Sequence, residues 1–289
     1  MIIKNKTQIK ILEFLTENWY DSFIAKEIKQ KTSISFQSIY DSLHYLTGKN
    51  IVKIHNNSYS INFKNEIAWA FKKLHDSNKF SQLDQNLQNV IALMREKLEL
   101  FYTYNLLAFL VFGSTAKLEH KKESDIDFFV LSKSKRDFLK TLTSDYKNFN
   151  YINKSIVEFS KEFEEGDDLL ISIFKNNMIM YGNDFLRPYF EIGLPSIGKN
   201  VIDDREKALE KMRHKIDVLY REDNKQMLVD IFKRYILLKA RIELIRKENK
   251  IPSTKQETLN RMEKIDKKLI EAYNTVNIKN IKKMVDIYV

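Results

Sequence analysis

The chain has 289 residues and is 43% hydrophobic, enough for about two domains with buried cores. It contains no cysteine, which excludes disulfides and cysteine-ligated zinc, and its five histidines (His44, His55, His75, His120, His214) are scattered rather than spaced as metal ligands. There is no apolar leader and no run approaching the ~20 apolar residues of a membrane span, so a soluble, cytoplasmic protein without a membrane partner is expected. The net charge of +10 is unevenly distributed. Residues 1–62 hold 8 Lys+Arg against 5 Asp+Glu, residues 63–200 hold 19 of each, and residues 201–289 hold 22 against 15. A neutral centre between basic flanks favours a polyanionic partner such as DNA or RNA; a lysine-rich solvated surface is the alternative.

Residues 1–63 read as three helices and a hairpin. Ile9, Ile11, Leu12 and Leu15 have helical spacing. Phe23 to Gln30 gives a second helix, and Thr32 to Ser35 a turn. The third helix, Phe36 to Gly48, has apolar positions Phe36, Ile39, Tyr40, Leu43 and Leu46, with Gly48 as a C-cap. Ile51–His55 and Tyr59–Phe63 alternate across Asn56-Asn57-Ser58, a hairpin signal. This order resembles the winged helix-turn-helix of transcription regulators. The resemblance implies DNA contact through Ser35, Gln37, Ser38, Asp41, Ser42 and Tyr45 on the third helix, and through Lys53 beside the wing. A winged helix used only for packing is the alternative, because the third helix has no Arg or Lys before Lys49.

Residues 64–104 carry helical patterns, Ile67 to Leu74 and Leu83 to Phe101, with a hinge expected over 77–82. An apolar run, Leu106 to Phe112, then ends at Gly113-Ser114. After a polar connection, Ser124-Asp125-Ile126-Asp127 opens a second apolar run, Phe128 to Leu131. Strand, Gly-Ser turn, short helix or loop, strand is the expected order. Side chains alternate along a strand, so Asp125 and Asp127 share a face. Two adjacent carboxylates repel unless a cation joins them, the arrangement that suits Mg²⁺ shared with a triphosphate. Glycine at the preceding strand end lets backbone N–H groups approach phosphate.

Gly-Ser, about ten residues, then Asp-hydrophobic-Asp resembles the signature of the DNA polymerase β-like nucleotidyltransferase superfamily, in its minimal form. The resemblance covers about residues 84–184. It implies an NTP substrate and two Mg²⁺ ions on Asp125 and Asp127, with Gly113, Ser114 and Lys117 at the phosphates. It also implies a third carboxylate on the next strand. That strand is expected over Lys154–Phe159, which assigns the third metal-binding, catalytic position to Glu158. Many relatives read Gly-Ser-x-Ala-Arg-Gly where this chain reads Gly-Ser-Thr-Ala-Lys-Leu. Lys117 keeps the charge without the fork of arginine, and Leu118 stiffens the loop.

Lys133–Tyr146 and Asp168–Met180 are expected helices, and Tyr181-Gly182-Asn183 closes this part. Helices are expected over Ala208–Leu219, Met227–Lys247, Thr254–Tyr273 and Ile278–Tyr288. The Arg…His motif of HEPN ribonucleases is absent before His214, so no ribonuclease is expected. The expected fold class is α+β. A winged helix occupies 1–63, a mixed-sheet nucleotidyltransferase fold with leading helices 64–190, and a helical bundle 201–289. The expected activity moves an NMP to a hydroxyl on RNA, such as tRNA, on a protein or on a small molecule. The alternative is a DNA-binding, antitoxin-like regulator whose nucleotidyltransferase domain senses nucleotide. A toxin–antitoxin role fits either by analogy, and a homodimer is left open.

Overall fold

The computed structural model describes residues 3, 5–120, 125–135, 149–195, 199–248, 252 and 255–289. The chain forms two compact units, Met1–Lys161 with Ile173–Leu194, and Glu162–Ser172 with Pro195–Val289.

The first unit opens with α1 (Lys6–Glu17), α2 (Ala25–Thr32) and α3 (Phe36–Gly48), followed by the antiparallel pair β1 (Val52–His55) and β2 (Ser58–Ile61). Asn56 and Asn57 both take left-handed φ, +48° and +60°, as a tight hairpin turn needs. Ser35 caps α3 by accepting from the Ser38 N–H. The helix runs through Gly48 and is capped by Lys49, while Asn50 takes the left-handed φ of +54°. Two expected core positions of α3 lie outside: Phe36 is 37% exposed and Tyr40 52%.

Next come α4 (Glu66–Ser81) and α5 (Gln85–Tyr102). The break between them falls at 82–84, not 77–82, because Asp84 caps α5 by accepting from the Asn86 and Leu87 N–H groups. The sheet has the order β5-β4-β3-β6. Its strands are β3 (Leu106–Phe112), β4 (Ile126–Ser132), β5 (Phe149–Ser155) and β6 (Asn177–Tyr181), with α6 (Gly113–Ala116) after β3. β3 is antiparallel to β4 and β6, and β4 is parallel to β5. β3 and β4 are buried on both faces and so read as continuous apolar runs. One face (Phe109, Val111, Phe128, Val130) packs on Ile91, Met94 and Leu98 of α5. On the other face, Phe129 meets Phe159.

Two expectations after β4 change. The helix α7 (Ile156–Glu164) begins where Glu158 was expected on a strand, and the helix expected over 168–180 ends early. It becomes α8 (Asp168–Lys175) followed by β6, because Met178 to Met180 pair with β3. Of the helix expected over 133–146, residues 136–146 lie outside the described residues. Gly182 has φ +83°, and a Cβ there would sit 2.0 Å from the Leu107 carbonyl oxygen. It opens α9 (Asn183–Ile192).

The N-terminal helices are fixed to the sheet inside this unit. The Trp19 indole N–H donates to the Phe174 carbonyl at 3.0 Å, and the Trp19 and Phe190 rings lie 4.6 Å apart. Phe63 and Trp69 complete the aromatic cluster. Beside it, Lys72 Nζ donates to both Asp76 oxygens at 2.6 Å, and Asp76 also accepts from the Ile179 N–H of β6 at 3.1 Å. Removing one partner of such a buried pair costs about 3–5 kcal/mol.

The second unit is helical: α10 (Lys199–Arg221), α11 (Lys225–Glu248), α12 (Lys255–Glu263), α13 (Lys267–Thr275) and α14 (Ile281–Tyr288). The single helix expected over 254–273 is two, because Asp266 accepts from the Leu269 N–H and starts α13 afresh. Phe232, Ile236, Leu244, Leu259 and Ile270 centre its core, and Arg205 is paired with Asp168. Among the described residues no helix is long and apolar enough to cross a membrane.

Candidate active site

Three neighbouring strand ends build the candidate site. Asp127 is the second residue of β4 and pairs with Phe112 on β3 and with Asn150 on β5. Asp125 is exposed, immediately before the strand. Asp127 is clamped on both sides. Its Oδ1 accepts from the Asn150 amide at 3.0 Å. Its Oδ2 lies where a side chain at 113 would be: a Cβ on Gly113 would stand 2.2 Å from it. Gly113 also has φ +71°, so glycine there satisfies both the turn and the close approach.

From Gly113 the chain makes the single turn of α6. The Ser114 carbonyl accepts from the Lys117 and Glu119 N–H groups, at 3.2 and 2.9 Å. The buried Thr115 hydroxyl is 3.0 Å from His120 Nδ1 and ties the loop to itself. Leu118, where many relatives have glycine, takes φ +59°; the loop thus keeps a left-handed position without the residue that adopts it most easily. Lys117 caps the far end of α6 and borders a cavity with Ala116 and Glu119.

Glu158 is not brought to the aspartate pair. Asn150 faces Asp127, while Ser155, five residues further along β5, faces Ser132; that separation is about 17 Å. Glu158 instead forms a capping box on α7. It accepts from the Ser155 N–H at 2.8 Å, and its own N–H donates to the Ser155 hydroxyl at 3.2 Å. The Ser155 backbone N–H, and after it the Ser155 hydroxyl and Lys135, hold its carboxyl below the usual range. The residue facing Asp127 is Asn150, which sequence reasoning missed. No local signal marks it, since the β4–β5 register alone selects it.

The remaining expected contacts divide. Gln37 donates to Asp41 at 2.9 Å along the exposed side of α3. Ser38 is bonded to Ser35, Tyr45 is half-buried and Lys53 exposed. Ser42, expected on the polar face, is 3% exposed and belongs to the interior. Ser42 lies three residues after Ile39 and four before Leu46, both buried, and so shares the inward side of the helix.

Asp125 and Asp127 supply hard oxygen donors, and no cluster of three or more His, Asp or Glu suited to a metal occurs among the described residues. Two carboxylates fit a Mg²⁺ that completes its shell with water and substrate phosphate, rather than one held by an all-protein cage.

Residues 96–185 match the family model Polymerase beta, Nucleotidyltransferase, a span containing Gly113, Ser114, Asp125, Asp127 and Asn150. A comparison with curated proteins finds no match. Among solved structures, the crystal structure of spectinomycin adenyltransferase AAD(9) from Enterococcus faecialis with ATP and spectinomycin is similar. The likeness covers 68% of this chain and 95% of that one, at 16% identity and a TM-score of 0.38. Gly113, Ser114, Asp125 and Asp127 all fall inside the matched span, so residues 96–185 are similar to that nucleotidyltransferase domain, which supports a nucleotidyltransferase enzyme.

Proposed function

We propose that the protein transfers an NMP from an NTP to a hydroxyl of RNA, a tRNA end being the favoured acceptor, with residues 1–63 acting as a nucleic-acid-binding winged helix. The observation that carries the reading is the clamped Asp127 beside Asp125 at the mouth of the Gly113 turn. Asp125 and Asp127 would hold Mg²⁺, which would supply charge neutralisation of the triphosphate and polarisation of the α-phosphorus. Gly113 lets the backbone approach the β- and γ-phosphates, Ser114 donates to them, and Lys117 supplies positive charge. The acceptor oxygen bonds to the α-phosphorus as the bond to the bridging oxygen breaks and pyrophosphate leaves. Asn150 is not basic, so the hydroxyl proton passes to one of the aspartates or to water. Three helices followed by a hairpin, and the basic balance of 1–62, support the winged-helix reading.

Asn150 favours a second reading. With an amide opposite Asp127, the site has two carboxylates, and a DNA-binding regulator that holds nucleotide without rapid turnover needs no more. Incubation with each α-³²P-labelled NTP, Mg²⁺ and total RNA separates the two. Label in RNA is expected with the intact protein and not with Asp125→Ala/Asp127→Ala, at a difference of about 10³-fold or more. Label on a protein band would replace the RNA acceptor. Nucleotide binding with no label anywhere would turn the reading toward a small-molecule acceptor or the sensor.

A further inference from the structure

We propose that a cavity at the β6 edge of the first unit binds a phosphoryl group, at a site separate from the aspartate pair. Its volume is about 230 Å³, below the roughly 300–1,000 Å³ of organic-ligand pockets and suited to a small hydrated anion. Four segments form it: the end of α1 with the turn through Tyr20, the α4 face carrying Lys72, His75, Asp76 and Lys79, the end of α6, and Lys175 to Asn177 before and into β6. Asn177 pairs with Phe112, and Phe112 with Asp127. The cavity is therefore two strands from the aspartates, about 10 Å.

The lining carries Lys72, Lys79, Lys117 and Lys175 beside Glu17, Asp76 and Glu119. Lys72 and Asp76 satisfy each other, and Asp76 is further committed to the Ile179 N–H. Glu17 is shared between Lys79, at 3.9 Å, and His75, at 3.7 Å. Glu119 is exposed. Lys175 stands 4.8 Å over the Tyr20 ring.

Two buried polar atoms independently indicate a missing partner. Thr16 lines the cavity and is 2% exposed, yet its hydroxyl has no hydrogen-bond partner among the described residues. His75 Nε2 likewise has no hydrogen-bond partner among the described residues, Glu17 at 3.7 Å standing beyond hydrogen-bond reach. Leaving such groups unsatisfied costs about 1–3 kcal/mol each, and a phosphoryl oxygen can accept from both. The local field agrees. Burial, then Lys79 and Lys72, push His75 down to about 3. Burial is also the main cause lowering Lys79. An anion beside them opposes both shifts.

The phosphoryl group could belong to the nucleic-acid acceptor or be a free anion, so the test includes both. Full-length protein is titrated calorimetrically with inorganic phosphate, pyrophosphate, and a ribo-oligonucleotide with and without a 5′-phosphate. Binding is expected, weakened about tenfold or more by Lys79→Gln and by Lys175→Gln; for inorganic phosphate without added metal it is expected to be unchanged in Asp127→Asn. A matching thermal midpoint shows that each variant is folded. Preference for the 5′-phosphorylated oligonucleotide identifies an acceptor phosphate, and binding of the inorganic ions alone a free anion. The proposal is overturned if no phosphoryl ligand binds at millimolar concentration. It is equally overturned if both lysine variants bind like the parent, or if Asp127→Asn abolishes binding, which would place the anion in the nucleotide site.

Discussion

Asn150 holds the key position at the scale of single residues. It donates to Asp127 from the adjacent strand, directly opposite it in the register. Replacing it by aspartate sets like charges about 3 Å apart, which is unfavourable without a cation and favourable with one. Asn150→Asp is therefore expected to lower the thermal midpoint in EDTA by several degrees, to regain it with Mg²⁺, and to tighten Mn²⁺ binding about tenfold. Unchanged Mn²⁺ affinity, read by paramagnetic relaxation, would show that position 150 does not face the metal. His75 gives a pH signature. Its folded value, about 3, lies below the ordinary 6.5, so between these pH values the unfolded chain binds more protons. Stability then rises with pH and is lost as pH falls below 6.5. Chemical denaturation should show a loss approaching about 2 kcal/mol from pH 6.5 to 5. His75→Gln should flatten that slope; an identical slope in the variant would assign it to other groups.

At the scale of elements, the start of α7 explains why Glu158 lies away from the aspartates. Ser155-Ile156-Val157-Glu158 is an S-x-x-E sequence before apolar residues, a helix-start signal that competes with the β-branched pair Ile156-Val157. The helix won because Ser155 and Glu158 satisfy each other's N–H groups. Glu158→Ala should cost about 0.5–2 kcal/mol of stability and leave nucleotide turnover intact. A loss of turnover with an unchanged thermal midpoint would return Glu158 to the catalytic centre. The same competition ended the helix expected through Met180. Asp168 to Lys175 is helical, but the run Met178-Ile179-Met180 carries no period of its own and was claimed by the open edge of β3.

At the scale of the whole molecule, charge is arranged by segment rather than by motif. The central segment is neutral and residues 201–289 carry 22 Lys+Arg against 15 Asp+Glu. If the polyanion reading holds, affinity for RNA should fall at least about tenfold between 50 and 200 mM salt, with log K linear in log salt. Salt-independent binding in a filter assay would remove the electrostatic basis for a nucleic-acid partner.

The sequence by itself determined the parts whose information is local. The Gly113-Ser114 turn and the two apolar strands follow from hydrophobic runs and from what glycine alone can do. The hairpin at Asn56-Asn57 and the third helix, Phe36–Gly48, are likewise local. Only the tertiary structure decided what depends on pairing at a distance. Asn150 meets Asp127 through strand register, Phe36 and Tyr40 stay exposed because the helix packs on its other side, and β6 forms because β3 offered an unpaired edge. The cavity at Lys79 and His75 draws its walls from four segments spread between residues 16 and 177. Spacing along a chain records which residues can share an element; which elements then meet is settled by burial and hydrogen-bond satisfaction of the whole.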